Sequence, residues 1–169
     1  VRRLNVFSEI FPVDVDPEEL KEFKGIIISG GPQSVYGEDS PQTNADIFKL
    51  GLPVLGVCYG QQLMVYQLGG KVEPGRIKEY GPAQMVANTD DHGIFKGFDK
   101  LMDGDSTRVW MSHGDAVCGL PDGFEIAGST SDCEYAAVAN YEKKLFGIQF
   151  HFEVTHTELG KELLDNFLK

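Results

Sequence analysis

Apolar residues in this chain come in short runs. Ile26-Ile27-Ile28 follows Gly25, and Val54-Leu55 with Val57 lies between Pro53 and Gly60; both have the length of buried strands. Behind the second run, Leu63, Met64, Tyr66 and Leu68 recur with helical spacing until Gly69-Gly70 stops them. Residues 1–4 read as the tail of a helix, and residues 5–11 alternate enough for a strand. Asp16 as N-cap and Pro17 at the first helical position predict a helix running to residue 23. A further helix is predicted over 43–50. This βαβαβα order predicts an α/β fold, a mostly parallel sheet flanked by helices.

Beyond residue 70 the pattern changes. Val72, Met85-Val86 and Val109-Trp110-Met111 predict shorter strands, a small additional antiparallel region, with a turn over residues 88–93 that includes His92. Strands over 135–141 and 144–150, joined by Glu142-Lys143, predict a hairpin. A final helix is predicted over 158–168, with Thr155 and Glu158 spaced as a capping box.

The chain has 169 residues, enough for one domain, and carries a net charge of -11, which argues against a nucleic-acid surface. No apolar run reaches membrane length, and the first residues do not read as a signal peptide. Cys58, Cys118 and Cys133 are odd in number and widely spaced, which suits neither a disulfide framework nor a metal site. A reducing cytoplasm is the expected location.

Cys58 sits where the second apolar run meets its helix, with Gly56 and Gly60 two residues away on either side. A Cys after a Val/Leu run is most often a small buried residue. Glycine on both sides and a helix behind it shift the weight to a nucleophile elbow, with the helix N-terminus favouring a thiolate. His151 ends a predicted strand, and Glu153 two residues on projects to the same side of an extended segment. The pair reads equally as a base with its orienting carboxylate or as a surface His beside a solvated charge. His92, His113 and His156 show no metal-ligand spacing; His92 reads as exposed and His156 as part of the last helix's cap. Ser29-Gly30-Gly31-Pro32 lacks the Gly-Lys-Ser/Thr ending of a phosphate loop. A glycine N–H there and the N–H of Tyr59 fit the two-donor rule for an oxyanion hole.

Three pieces together, Gly56-Val57-Cys58-Tyr59-Gly60-Gln61-Gln62, Ser29-Gly30-Gly31-Pro32 and His151-Phe152-Glu153, make the chain resemble the class I glutamine amidotransferases over nearly its whole length. Within that family it looks most like the glutaminase portion of GMP synthetase. The pointers are Ser34-Val35-Tyr36, Trp110-Met111-Ser112-His113-Gly114-Asp115 and Glu153-Val154-Thr155-His156-Thr157. The resemblance implies a Cys58, His151, Glu153 triad that hydrolyses glutamine to glutamate and ammonia through a thioester. It implies an oxyanion hole at Gly31 and Tyr59, and substrate contacts around Gln62, Ser112, Gly114 and Asp115. It implies no cofactor and no metal in this chain. The ammonia would pass to an ATP-pyrophosphatase subunit or domain, where ATP and Mg belong, that converts XMP to GMP.

Two departures stand out. Phe152 replaces the family's usual proline, which would fix its own φ and bias His151 toward an extended shape; the expectation is a surviving triad with looser geometry. Residues 1–169 read as a single glutaminase domain from which the family's first strand is missing. The competing readings are the glutaminase of another amidotransferase (anthranilate or carbamoyl-phosphate synthesis), a silent binding module of the same fold, and a thiol hydrolase of other γ-glutamyl compounds. Residues 71–100 are expected to include part of a partner-facing surface.

Overall fold

In the computed structural model, which describes residues 1–89 and 93–169, strands β1 (Ile26–Ile28), β2 (Val54–Val57) and β7 (Leu145–Ile148) run parallel side by side. The register sets Ile28 beside Gly56 and Gly56 beside Gly147, so all three C-terminal ends reach one edge of the sheet. The remaining strands are β3 (Lys71–Ala87), β4 (Thr107–Gly119), β5 (Glu125–Ser129) and β6 (Ala137–Asn140). Among the described residues the sheet has seven strands in the order β1-β2-β7-β6-β5-β3-β4. His92 and its Asp90 and Asp91 neighbours in the predicted turn lie outside the described residues.

Period-two alternation decides which face each side chain covers. Ile27, Leu55, Val57, Ala137, Ala139, Phe146 and Ile148 share one core with Leu163 and Phe167 of helix α2 (Gly160–Leu168). Their neighbours along the strands turn the other way: Ile26, Ile28, Val54 and Leu145, with Val138, pack against Leu63, Met64 and Val65 of helix α1 (Tyr59–Gln67). One helix therefore covers each face, and the α/β expectation holds. The antiparallel part is more extensive than the sequence suggests, because β3 and β4 form one long ribbon. It shifts register between Pro74 and Glu79, where five steps along β3 face two along β4.

Several local expectations give way. Residues 5–11 form no strand; Phe7 and Ile10 are 78% and 94% exposed, and among the described residues no neighbouring strand offers the ladder that alternation alone cannot supply. Asp16 caps as expected, its side chain accepting the Glu18 N–H, but only a 3₁₀ turn follows, Pro17–Leu20. The predicted helix over 43–50 is a 3₁₀ turn, Ala45–Lys49, capped by Asn44. These short segments need only deliver Leu20, Ile47 and Phe48 to the core. The chain start is likewise a 3₁₀ turn, Arg2–Leu4. The capping box does not form: Glu158 turns to β4, accepting the Arg108 N–H at 3.2 Å and pairing with its guanidinium at 3.1 Å. Nor does His156 cap α2, which starts four residues later; its ring lies against Trp110, tilted by 37° with centroids 4.6 Å apart. The hairpin between β6 and β7 forms as predicted, turning through Tyr141–Lys144 with Lys144 at φ 56°.

Candidate active site

Because β1, β2 and β7 end at the same edge, the segments that follow them meet there. These are Ser29-Gly30-Gly31, Cys58 and His151. Cys58 sits at φ 52°, ψ −109°, a conformation that side chains rarely adopt and that costs roughly 1–3 kcal/mol. Its N–H is fixed to the Ile148 carbonyl at 2.7 Å, and Gln62 N–H closes the first helical turn on its carbonyl at 3.2 Å. The flanking glycines make the turn possible. A Cβ on Gly56 would lie 2.5 Å from the Gly60 carbonyl oxygen, and one on Gly60 would lie 2.2 Å from that of Ile28. The thiol is 6% exposed at the residue level and faces the Ser112 carbonyl at 3.7 Å.

His151 Nδ1–H donates to Glu153 Oε1 at 2.8 Å, which leaves the other ring nitrogen for proton exchange with the thiol. Hydrogen bonding to the Cys58 sulfur, then to the Glu153 carboxylate, outweighs burial and lifts the His151 pKa to about 10, with both negative charges adding to the effect. Burial works against ionisation of Glu153, but the bond from His151, its own backbone N–H and the imidazolium charge together hold it below the usual carboxylate value. The imidazole also lies against the glycine turn: a Cβ on Gly30 would stand 3.2 Å from His151 Cε1 and 3.5 Å from Cys58 Cβ. With Phe152 in place of proline, the ring still reaches Cys58. The structure thus brings Cys58, His151 and Glu153 together.

Gly31 lies against the Tyr59 ring, its Cβ direction 3.6 Å from Tyr59 Cγ, and neither residue's N–H is spent on another acceptor among the described residues. On β4 the Ser112 carbonyl meets the Cys58 thiol, and Gly114, between His113 and Asp115, has its Cβ direction 3.7 Å from the Tyr80 hydroxyl. Gln62 lies behind this segment, buried, its amide nitrogen donating to the Asp115 carbonyl at 3.0 Å and to Gln149 Oε1 at 2.9 Å. Tyr36 O–H donates to Asp115 Oδ1 at 3.0 Å and ties in the segment after the glycine turn. Sequence reasoning passed over Thr157, whose hydroxyl bridges His151 and Trp110, and Glu79, which pairs with His113. Thr157 lies in a motif the sequence offers, but nothing in its spacing shows what the hydroxyl touches. Cys133 is buried and its thiol pKa is pushed up to about 12, by burial first and by the Glu79 charge second. Among the described residues no helix is long and apolar enough to cross a membrane.

The profile of the class-I glutamine amidotransferase family matches residues 1–169. The chain is 49% identical over 170 residues to the glutamine-hydrolyzing GMP synthase of Brachyspira hyodysenteriae, and 49% identical over 170 residues to that of Caldanaerobacter subterraneus. In each case 99% of this chain aligns with 32% of the relative, so the chain spans about a third of the length of these curated relatives. A crystal structure from Thermoplasma acidophilum, described as that of a GMP synthase component, superposes with a TM-score of 0.83 at 28% identity, covering 99% of this chain and 82% of that one. The family's match runs over the same residues that carry the elbow, the glycine turn and the His–Glu pair, and this chain belongs to the class-I glutamine amidotransferases.

Proposed function

We propose that this chain is the glutaminase component of a glutamine-hydrolysing GMP synthase. The observation that carries the reading is the placement of Cys58, strained on its turn, beside an imidazole that Glu153 orients. Cys58 sulfur attacks the side-chain carbonyl carbon of glutamine, and the developing oxyanion is met by the N–H groups of Gly31 and Tyr59. His151 gives its proton to the departing nitrogen, so that the C–N bond breaks, ammonia leaves and a γ-glutamyl thioester remains. The neutral imidazole then takes a proton from water, the hydroxide equivalent attacks the thioester, and glutamate leaves as the thiolate and imidazolium are restored. Glu153 keeps the imidazole in register throughout. Ser112, Gly114 and Asp115 hold the amino-acid end of the substrate, and Gln62 acts on it through the Asp115 carbonyl.

The ammonia goes to an ATP-pyrophosphatase partner that aminates activated XMP, with ATP and Mg on that partner, in the cytoplasm. The relatives' names and the -11 charge, which offers nothing to nucleic acid, support this assignment. Ammonia release from glutamine by wild type and Cys58→Ala, with and without the synthetase partner and its nucleotides, tests it. Cys58-dependent release stimulated by the partner is the expected result. Release indifferent to the partner would overturn the pathway, and no release from folded protein would overturn the reaction.

A further inference from the structure

A polar pair outside the triad, His113 and Glu79, is buried in the β3–β4 ribbon beside its register shift. His113, on β4, has a side chain only 2% exposed, and that of Glu79, opposite it on β3, is 9% exposed. His113 Nδ1 lies 2.9 Å from the Asp115 carbonyl oxygen and Nε2 lies 2.9 Å from Glu79 Oε2. A carbonyl only accepts, so Nδ1 carries a proton, and one more proton lies between Nε2 and the carboxylate whichever atom owns it. The ring therefore has no nitrogen to spare. The Asp115 carbonyl it holds also receives the Gln62 amide, and the Asp115 carboxylate receives the Tyr36 hydroxyl. Three residues back along β4, the Ser112 carbonyl faces the Cys58 thiol. One short segment, residues 112–115, is thus held by α1 from behind, by the glycine-turn segment in front, and by the Glu79–His113 pair from within the ribbon. At that point the ribbon's own ladder is interrupted: residues 75–78 of β3 have no partner in the register, and only Gly114 of β4 lies between the paired residues His113 and Asp115.

We infer that Glu79 and His113 are positioning residues for the β4 wall of the glutaminase cleft: their buried pair replaces the missing ladder and fixes Ser112–Asp115 in the place where the substrate's amino-acid end is held. The inference rests on the proposed reaction for its kinetic consequence but not for its structural one. Neither side chain touches the reacting atoms. The triad has its own anchors, Cys58 on the Ile148 carbonyl of β7 and His151 on Trp110 of β4, ahead of the segment the pair holds, so loss of the pair acts on substrate binding more than on turnover.

The test uses the full chain with its synthetase partner. Glu79→Ala is expected to raise KM for glutamine about tenfold or more, the size of one charge-assisted hydrogen bond lost, with a smaller change in kcat. Glu79→Gln offers Nε2 either an amide N–H or an amide oxygen and is expected to recover most of the loss. Hydrogen exchange of the chain supplies a readout independent of activity: amides of residues 112–115 exchange about tenfold faster in Glu79→Ala, while β2 and β7 keep their protection. Unchanged exchange at 112–115 overturns the inference even if glutamine is not the substrate. A fall in kcat and thermal stability with KM unchanged also overturns it, by making the pair merely structural. Cys133 sulfur lies within 4.8 Å of both partners. Activity lost on EDTA dialysis and restored by Zn²⁺ would therefore overturn it in favour of a metal held by all three. Wild type that fails to hydrolyse glutamine, yet shows the exchange difference, sinks the proposed reaction and leaves the positioning role standing.

Discussion

The Thr157 hydroxyl donates to the main-chain carbonyl of His151. The same oxygen accepts the Trp110 N–H at 3.0 Å, and the Trp110 carbonyl accepts the His151 N–H at 3.0 Å. His151 is thereby tied to β4 on both sides of its Cα, just before Phe152, whose φ no ring fixes. Thr157→Val keeps the shape and removes the hydroxyl, leaving a carbonyl and an N–H short of partners at about 1–3 kcal/mol each. The expected outcome is a lower melting temperature and a kcat for glutamine that falls more than KM rises, with Thr157→Ser close to wild type. An unchanged kcat in a folded Thr157→Val protein would show that the strand contacts alone hold the base.

Gly60 of the elbow is expected to be intolerant and Gly31 of the glycine turn tolerant, each for a steric reason. Gly60→Ala drives a methyl to 2.2 Å from the rigid Ile28 carbonyl and should destabilise the chain by at least about 2 kcal/mol. Gly31→Ala meets only the Tyr59 ring, at an ordinary 3.6 Å, and should leave stability within about 0.5 kcal/mol of wild type. Urea denaturation of the two variants checks the contrast; equal midpoints would refute it.

Backbone strain at Cys58 gives a third expectation. Both Cys58→Ala and Cys58→Gly remove the proposed nucleophile and should abolish ammonia release. They differ in the folded state, because Ala keeps the cost of φ 52°, ψ −109° and Gly does not. Cys58→Gly should be more stable than Cys58→Ala by about 1 kcal/mol, after allowing for the entropy glycine adds to the unfolded chain. Calorimetry of the pair decides it, and a less stable glycine variant would mean the turn is not strained.

His151 sets a pH window. Its folded-state pKa of about 10 lies above the ordinary 6.5, so the stability it contributes is fully present below 6.5 and is lost as the pH rises toward 10. Glu153 has the opposite sign: lowered in the fold, it contributes above its ordinary value of 4.5 and that contribution is lost on acidification. Wild type should therefore lose more stability than His151→Asn between pH 7 and pH 10. Because the Cys58 sulfur is the leading cause of the shift, Cys58→Ala should move the His151 titration down by more than about one unit, as read by NMR of the ring protons. A titration that stays put would assign the shift to Glu153 alone.

Legibility from sequence varied with how local the cause was. Gly56, Cys58 and Gly60 could be read as an elbow because the turn's requirements fall within five residues. Asp16 could be read as a cap for the same reason, its side chain reaching a backbone N–H two residues on. The β3–β4 ribbon was fragmented by its own punctuation, Pro74, Gly75, Gly81 and Pro82, which sequence rules count against a continuous strand. The structure accommodates them through a register shift. Glu158 and His156 looked like cap residues only because Arg108 and Trp110, about fifty positions earlier, are invisible to a local pattern.

What the sequence determined by itself was a set of candidates, joined into one site only through the family resemblance: a thiol on a glycine-flanked strand–helix turn, an imidazole ending a later strand, and a carboxylate on the same side of it. These follow from short-range sterics and the two-residue period of extended chain. What only tertiary structure decided was who stands behind each group. Gln62 turned out to hold the Asp115 carbonyl, Thr157 the His151 carbonyl, and Glu79 the His113 ring. Each joins residues on different elements, brought together by strand order and by burial that leaves a polar group no water to turn to. No periodicity along a single chain encodes that pairing.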